Sequence, residues 1–200
     1  MKFSYKEKKD LFNAGLMISL AFAILLSGGF SLFYDFNLNF LIVFAIALFT
    51  AGIGFLLHEL MHKYVAQNYW LFAEFRASYK MLWLAIAFSL FGFIIAAPGA
   101  VMISGRVTKE RNGKISLAGP MTNIVLALVF LILILTFRTE GILEYFLGFG
   151  LTINSLLAAF NMIPMMPFDG AKVIAWNKSV YFATTLFAAG LFIISFLVWG

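Results

Sequence analysis

The chain has 200 residues, of which 63% are hydrophobic and only 12% charged, a balance that excludes an ordinary soluble domain and points to a polytopic membrane protein. It contains no cysteine, so a disulfide framework and thiolate metal ligation are both excluded. The formal charge of +5 reads as basic residues placed beside membrane spans to orient them, and nucleic-acid binding is not expected.

About 18 uncharged apolar residues suffice to cross a hydrocarbon layer ~30 Å thick. The stretches that meet this length are Leu11 to Phe33, Phe40 to Leu57, Leu117 to Phe137, Tyr145 to Met166 and Val180 to Trp199. The first follows a basic tail that also holds Glu7 and Asp10. It is longer than a signal-peptide core and lacks a small-residue cleavage pattern before Tyr34 and Asp35, so it is expected to remain as a span. The expected architecture is an all-α polytopic membrane protein of about five transmembrane helices, organised as a single membrane domain over residues 1–200.

The second span runs without a break into His58, Glu59 and His62, and the chain has no histidine besides these two. On a helix, positions four apart share a face with their Cβ atoms about 5 to 6 Å apart, so both imidazoles can turn toward one metal ion. Glu59 lies one residue round from that face, where it reaches a water held by the metal instead of the metal itself, as a general base must. The bland alternative is a polar helix end at the interface, beside Lys63, Tyr64 and Trp70. Ionisable groups in an apolar helix cost roughly 2.5 to 3.5 kcal/mol apiece, which favours the functional reading.

Downstream, the run "LFAEFRASYK" from Leu71 to Lys80 alternates imperfectly and fits either an interfacial loop or an exposed edge strand able to hold an extended peptide. The apolar stretch Met81 to Ala97 just reaches the length of a short span, but turn signals near Gly92 and Pro98-Gly99 favour a re-entrant or interfacial segment. In the third span, "AGPMTN" (Ala118 to Asn123) brings Thr122 and Asn123 near one end. Asn123 suits either a hydrogen bond that orients a metal ligand or interhelical glue.

A catalytic zinc takes three protein ligands and keeps one open position. With histidine exhausted, the third ligand must be a carboxylate, and Glu74, Glu110 and Asp169 are the candidates not sited beside other span ends. Asp169 lies in "NMIPMMPFDGAK", where Pro164 and Pro167 deprive the carbonyls of Phe160 and Ile163 of helical partners. Unwound backbone at membrane depth is tolerated only against protein or a water-filled cavity. Such a break can carry Asp169 inward, with Gly170 permitting a turn; equally, the prolines could simply end a helix at the interface.

The two-part pattern, His58-Glu59-Leu60-Met61-His62 followed by Asn161-Met-Ile-Pro164-Met-Met-Pro167-Phe-Asp169-Gly170, resembles the site-2 protease family of intramembrane zinc metalloproteases. "AGPMTN" looks like that family's intervening span, and the similarity covers roughly Phe55 to Lys172. The resemblance implies one zinc ion held by His58, His62 and Asp169, Glu59 as the base that activates water, and Asn161 as a residue that positions substrate or water. It also implies hydrolysis of peptide bonds in or near the transmembrane segments of a substrate protein. No PDZ or nucleotide-sensing domain accompanies these motifs, so the regulation of larger members does not carry over.

Sidedness follows from charge. If Met81 to Ala97 does not cross, the ends carrying His62 and Asp169 share one face of the bilayer, and every Lys and Arg except Arg138 falls on that face. The basic bias of cytoplasmic loops then places the site toward the cytoplasm. Two other classes stay open on the sequence alone, a metal-binding membrane transporter and a non-catalytic membrane scaffold. The first predicts polar groups at several depths, whereas Asn154 and Asn161 form at most a short stripe on one helix; the second gives no reason to keep Glu59.

Overall fold

A computed structural model of the chain describes residues 1–33, 38–94, 98–137 and 140–199. Tyr34, Asp35, Arg138 and the end of the Met81 to Ala97 stretch lie outside them. The chain divides into two compact units, one of Lys2–Leu56 with Glu74–Met102 and one of Leu57–Ala73 with Ile103–Gly200, to which Met1 also belongs.

In the first unit, helix α1 (Tyr5–Leu26) starts well before the apolar run that announced it. Ser4 caps it, its hydroxyl oxygen accepting from the Glu7 N–H at 3.1 Å, which satisfies one of the donors orphaned at a helix start. Glu7 and Asp10 are therefore not part of a solvated tail. Both are buried, and they face strand β1 (Phe72–Ala77): Glu7 accepts from the Phe75 N–H at 3.0 Å, and Asp10 accepts from the Ala77 N–H at 3.4 Å and the Tyr79 hydroxyl at 2.8 Å. The other edge of β1 pairs with β2 (Gly99–Ser104), and the Ser78 N–H donates to the Pro98 carbonyl at the turn end. Of the two readings left open for Leu71 to Lys80, the strand is the one formed, but carboxylates from α1 accept from its N–H groups at the edge away from β2.

Helix α1 stops at Leu26 because Gly28 and Gly29 take positive φ values of 85° and 63°, a region other residues enter only with strain. A short 3₁₀ turn, Gly29–Phe33, follows. Next, α2 (Leu38–Ala47), a π-helical turn (Leu48–Gly52) and α3 (Ile53–Asn68) succeed one another as one apolar helical run over Asn39–Asn68. Helix α4 (Tyr79–Leu90) has 12 residues, a length of about 18 Å against a hydrocarbon core of ~30 Å. It is too short to cross, in keeping with an interfacial or re-entrant placement of the Met81 stretch.

The second unit is built from the remainder of α3, then α5 (Lys109–Thr136), α6 (Ile142–Asn161), α7 (Asp169–Trp176) and α8 (Lys178–Val198). Thr108 caps α5 by accepting from the Arg111 N–H at 3.2 Å, so this helix also begins before its apolar run. Small side chains let its neighbours approach: Ala127 of α5, Ala158 of α6 and Ala188 of α8 are buried with Ile124, Leu151 and Leu191 in one core. Outward residues of the same helices, among them Ile132, Leu135, Leu186 and Leu197, are exposed. That is the surface a bilayer would cover, since lipid offers no penalty for apolar contact. Among the described residues, five helical segments are long and apolar enough to span a membrane.

Helix α6 ends at Asn161, short of the apolar run's limit at Met166. Pro164 has no N–H to give Phe160's carbonyl, and the helical ladder stops there. The chain turns through Ile163 to Phe168, where the Met165 N–H reaches the Ile163 carbonyl at 2.8 Å and the Phe168 N–H the Met165 carbonyl at 2.9 Å. It then enters α7 with Asp169 as its first residue. Met162, Val173 and Tyr181 bury this corner, with Leu117, Ile174 and Trp176 packed around them.

Candidate metal centre

Helix α3 supplies His58, Glu59 and His62, and all three are buried. Their spacing places the imidazoles edge to face, with ring centroids 4.6 Å apart. Asp169 reaches the same point from the start of α7, its Oδ2 lying 3.4 Å from His58 Nε2 and 3.1 Å from His62 Nε2. One ligand atom from each of the three residues falls within 4.8 Å of the others, close enough for a single ion to touch all three. The proline break thus does what its chemistry allowed, returning a carboxylate to the two histidines. Gly170 serves a purpose other than the expected turn: a Cβ there would run into the carbonyls of Met162 and Ile163, so its role is close approach of α7 to the end of α6.

The far side of each imidazole is also held. His62 Nδ1 lies 2.7 Å from the carbonyl of Ile115 on α5. A carbonyl only accepts, so Nδ1 carries the proton and Nε2 keeps its lone pair for a metal. His58 Nδ1 lies 2.6 Å from Asn123 Oδ1, and Asn123 Nδ2 donates to Asn154 Oδ1 of α6 at 3.0 Å, so this residue makes both of the contacts that the sequence left open for it. Lys172, one turn along α7, puts its ammonium 3.3 Å from Asp169 Oδ1, leaving Oδ2 to face the imidazoles. Burial alone works against the Asp169 carboxylate; when Nε2 of His62 and of His58 carries a proton in place of a metal, the charge and hydrogen bonds of the two imidazoles hold that carboxylate well below the ordinary range.

Gly119 is the clearest sign that the space among these groups suits an ion. Its position on α5 is so close to the site that a Cβ would strike Nε2 of both His58 and His62. A helix position in a membrane span carries no side chain at the place where a methyl group would fill the gap. Two nitrogens and one carboxylate oxygen are also the donor set of a catalytic zinc with an open position.

Asn161 is partly buried at the end of α6, and its Nδ2 donates to the Leu157 carbonyl of its own helix at 2.9 Å. The other two carboxylates considered as ligands are engaged elsewhere. Glu74 pairs with Arg76 at 2.7 Å and hydrogen-bonds the Ser4 hydroxyl, and Glu110 pairs with Lys114 at 2.5 Å. Sequence reasoning missed Gly119, Lys172 and the Ile115 carbonyl. Lys172 could have been found from its spacing of one helical turn from Asp169, whereas a backbone carbonyl leaves no mark in a sequence.

No protein-family model matches the chain, and no solved structure gives a significant match. Among curated proteins it is 45% identical over 183 residues to "Putative zinc metalloprotease MJ0611" of Methanocaldococcus jannaschii, an alignment covering 90% of this chain and 89% of that protein. It is 30% identical over 158 residues to "Zinc metalloprotease MJ0392" of the same organism, covering 77% of this chain and 41% of that longer protein. Similarity at this level along nearly the whole of both chains makes the first of these a full-length relative, and the chain belongs to its family.

Proposed function

We propose that the chain is a zinc-dependent intramembrane endopeptidase of the site-2 protease kind. The observation that carries this reading is the convergence of His58 Nε2, His62 Nε2 and Asp169 Oδ2 on one point, in a chain whose relatives bear the name zinc metalloprotease. Bound zinc supplies a Lewis acid that polarises a scissile carbonyl and acidifies water. Glu59, next in sequence to one ligand and aside from the shared face, takes the proton of the attacking water and passes it to the departing amine. Asn123 and the Ile115 carbonyl keep both imidazoles turned to the metal, while Lys172 restrains the free oxygen of Asp169. Asn161, at the C-terminal end of α6 where the chain unwinds, is suited to meet substrate there.

The substrate is a transmembrane protein. Its peptide groups are locked in helical hydrogen bonds that must open before a carbonyl reaches the site, so segments weakened by Gly, Pro or Asn should be cut preferentially. Purified protein stripped of metal should lose cleavage of a transmembrane reporter carrying such a segment and regain it with about one equivalent of zinc, as a three-ligand site with one open position requires. Cleavage that persists in metal-free protein would reject the reading.

The basic bias of the loops supports a site that faces the cytoplasm. Cysteines introduced singly at Thr108 and Ser179, in a chain with none of its own, should accordingly react with an impermeant thiol reagent only from the cytoplasmic side. Labelling of either position from the opposite side alone would overturn that orientation.

A further inference from the structure

We infer that Lys172, on α7, is a positioning residue that confines Asp169 to one oxygen at the metal centre and so keeps a coordination position open. The inference rests on the reading of Asp169 as the third ligand and deepens it. A carboxylate carries two equivalent oxygens, and a zinc site can expand from four ligands to five. Two imidazoles and one oxygen leave one position of four for water or a scissile carbonyl. A second oxygen would crowd or fill it.

The backbone of Asp169 does not choose between these arrangements, because it is fixed. Gly170 lies so close to Met162 and Ile163 that a Cβ would strike their carbonyls, and Val173, further along α7, is fully buried in one cluster with Met162. What remains adjustable is the carboxylate's own rotation, and the last torsion of an aspartate is broad and two-fold. The contacts of the two oxygens differ. Oδ2 lies 3.4 Å from His58 Nε2 and 3.1 Å from His62 Nε2, whereas Oδ1 accepts from Lys172 Nζ at 3.3 Å. An ammonium only donates, and a metal brought onto Oδ1 would meet a like charge at close range. Lys172 therefore excludes the metal from that oxygen. Its side chain is 31% exposed against 11% for Asp169, so the ammonium keeps contact with water while it holds the buried carboxylate. If the pair only braced the first turn of α7, its loss would weaken the helix and leave the coordination unaltered.

Cobalt(II) makes the distinction measurable, because it enters zinc sites and absorbs visible light intensely with four ligands and weakly with five or six. Wild-type protein loaded with one equivalent of cobalt should show the intense bands. Lys172→Met keeps most of the apolar stem and removes the ammonium; it should still bind cobalt one to one, yet lose most of that intensity. Lys172→Arg, still a cationic donor, should restore it. With zinc, cleavage of a transmembrane reporter by the methionine variant should fall about ten- to a hundredfold, the usual effect of losing a partner behind a metal ligand.

The inference is overturned if wild type already shows only weak bands, or if the methionine variant keeps the wild-type intensity at full occupancy. It is equally overturned if arginine fails as badly as methionine, since the effect is then one of packing. A methionine variant that folds but takes up no cobalt overturns it too, because Lys172 would then hold the ligand in place instead of selecting its oxygen. Helical content reports folding, and Lys172→Ala takes the place of methionine if that content is lost. The spectra involve no proteolysis. Wild-type protein that binds metal but cuts nothing would remove the protease reading alone, and Asp169→Ala with a wild-type spectrum would remove the ligand reading. An unaltered spectrum in the methionine variant would remove this inference alone.

Discussion

Asp169→Ala should lower zinc affinity about a hundred- to a thousandfold while leaving the helical content intact. A four-coordinate zinc site in a peptide releases roughly 10 to 16 kcal/mol, so one ligand's share is about 2.5 to 4 kcal/mol, and His58→Ala and His62→Ala should cost comparable amounts. Glu74→Ala and Glu110→Ala should change nothing, because Glu74 is held by Arg76 and Ser4 and Glu110 by Lys114. Gly119→Ala gives the same loss by another route. It deletes no ligand, yet its methyl would occupy the space against both Nε2 atoms; at the upper end of overpacking costs, about 3 kcal/mol, zinc affinity should fall about a hundredfold. Equilibrium zinc titration of the purified variants checks all of these. Wild-type affinity in Asp169→Ala, or zinc release by Glu74→Ala or Glu110→Ala, would mean that the third ligand has been misidentified.

The parts of this site that were legible from the sequence are those governed by local rules. Two histidines four apart must share a helical face, and two prolines must break a helix, so His58, His62 and the return of Asp169 could be anticipated. What stayed hidden depends on contacts between distant segments. Glu7 and Asp10 read as members of a polar tail because nothing nearby reveals that their carboxylates will accept from the N–H groups of Phe75 and Ala77. For the same reason, the run from Leu71 to Lys80 fitted an open strand edge as well as an interfacial loop.

Helix limits were misread wherever a polar cap, invisible to an apolar count, set the start. Ser4 and Thr108 each begin a helix ahead of its apolar run, and the glycines at positions 28 and 29 end α1 inside its run. Gly119 carries the same lesson into the site. A glycine in a transmembrane helix is ordinary until the imidazoles that need its empty volume are known.

The proposed role of Glu59 as the base of a zinc-dependent peptide hydrolysis is tested most directly by comparing wild type and Glu59→Gln at equal, measured zinc content on one transmembrane reporter. Glutamine keeps the size of the side chain and lies outside the ligand set, so metal should be retained while the proton acceptor is lost. Positioned acid–base groups contribute about 10²- to 10⁴-fold to rate, and the predicted result is a fall in cleavage of at least a hundredfold with zinc still bound one to one. Cleavage at the wild-type rate by the zinc-loaded Glu59→Gln protein would contradict the account.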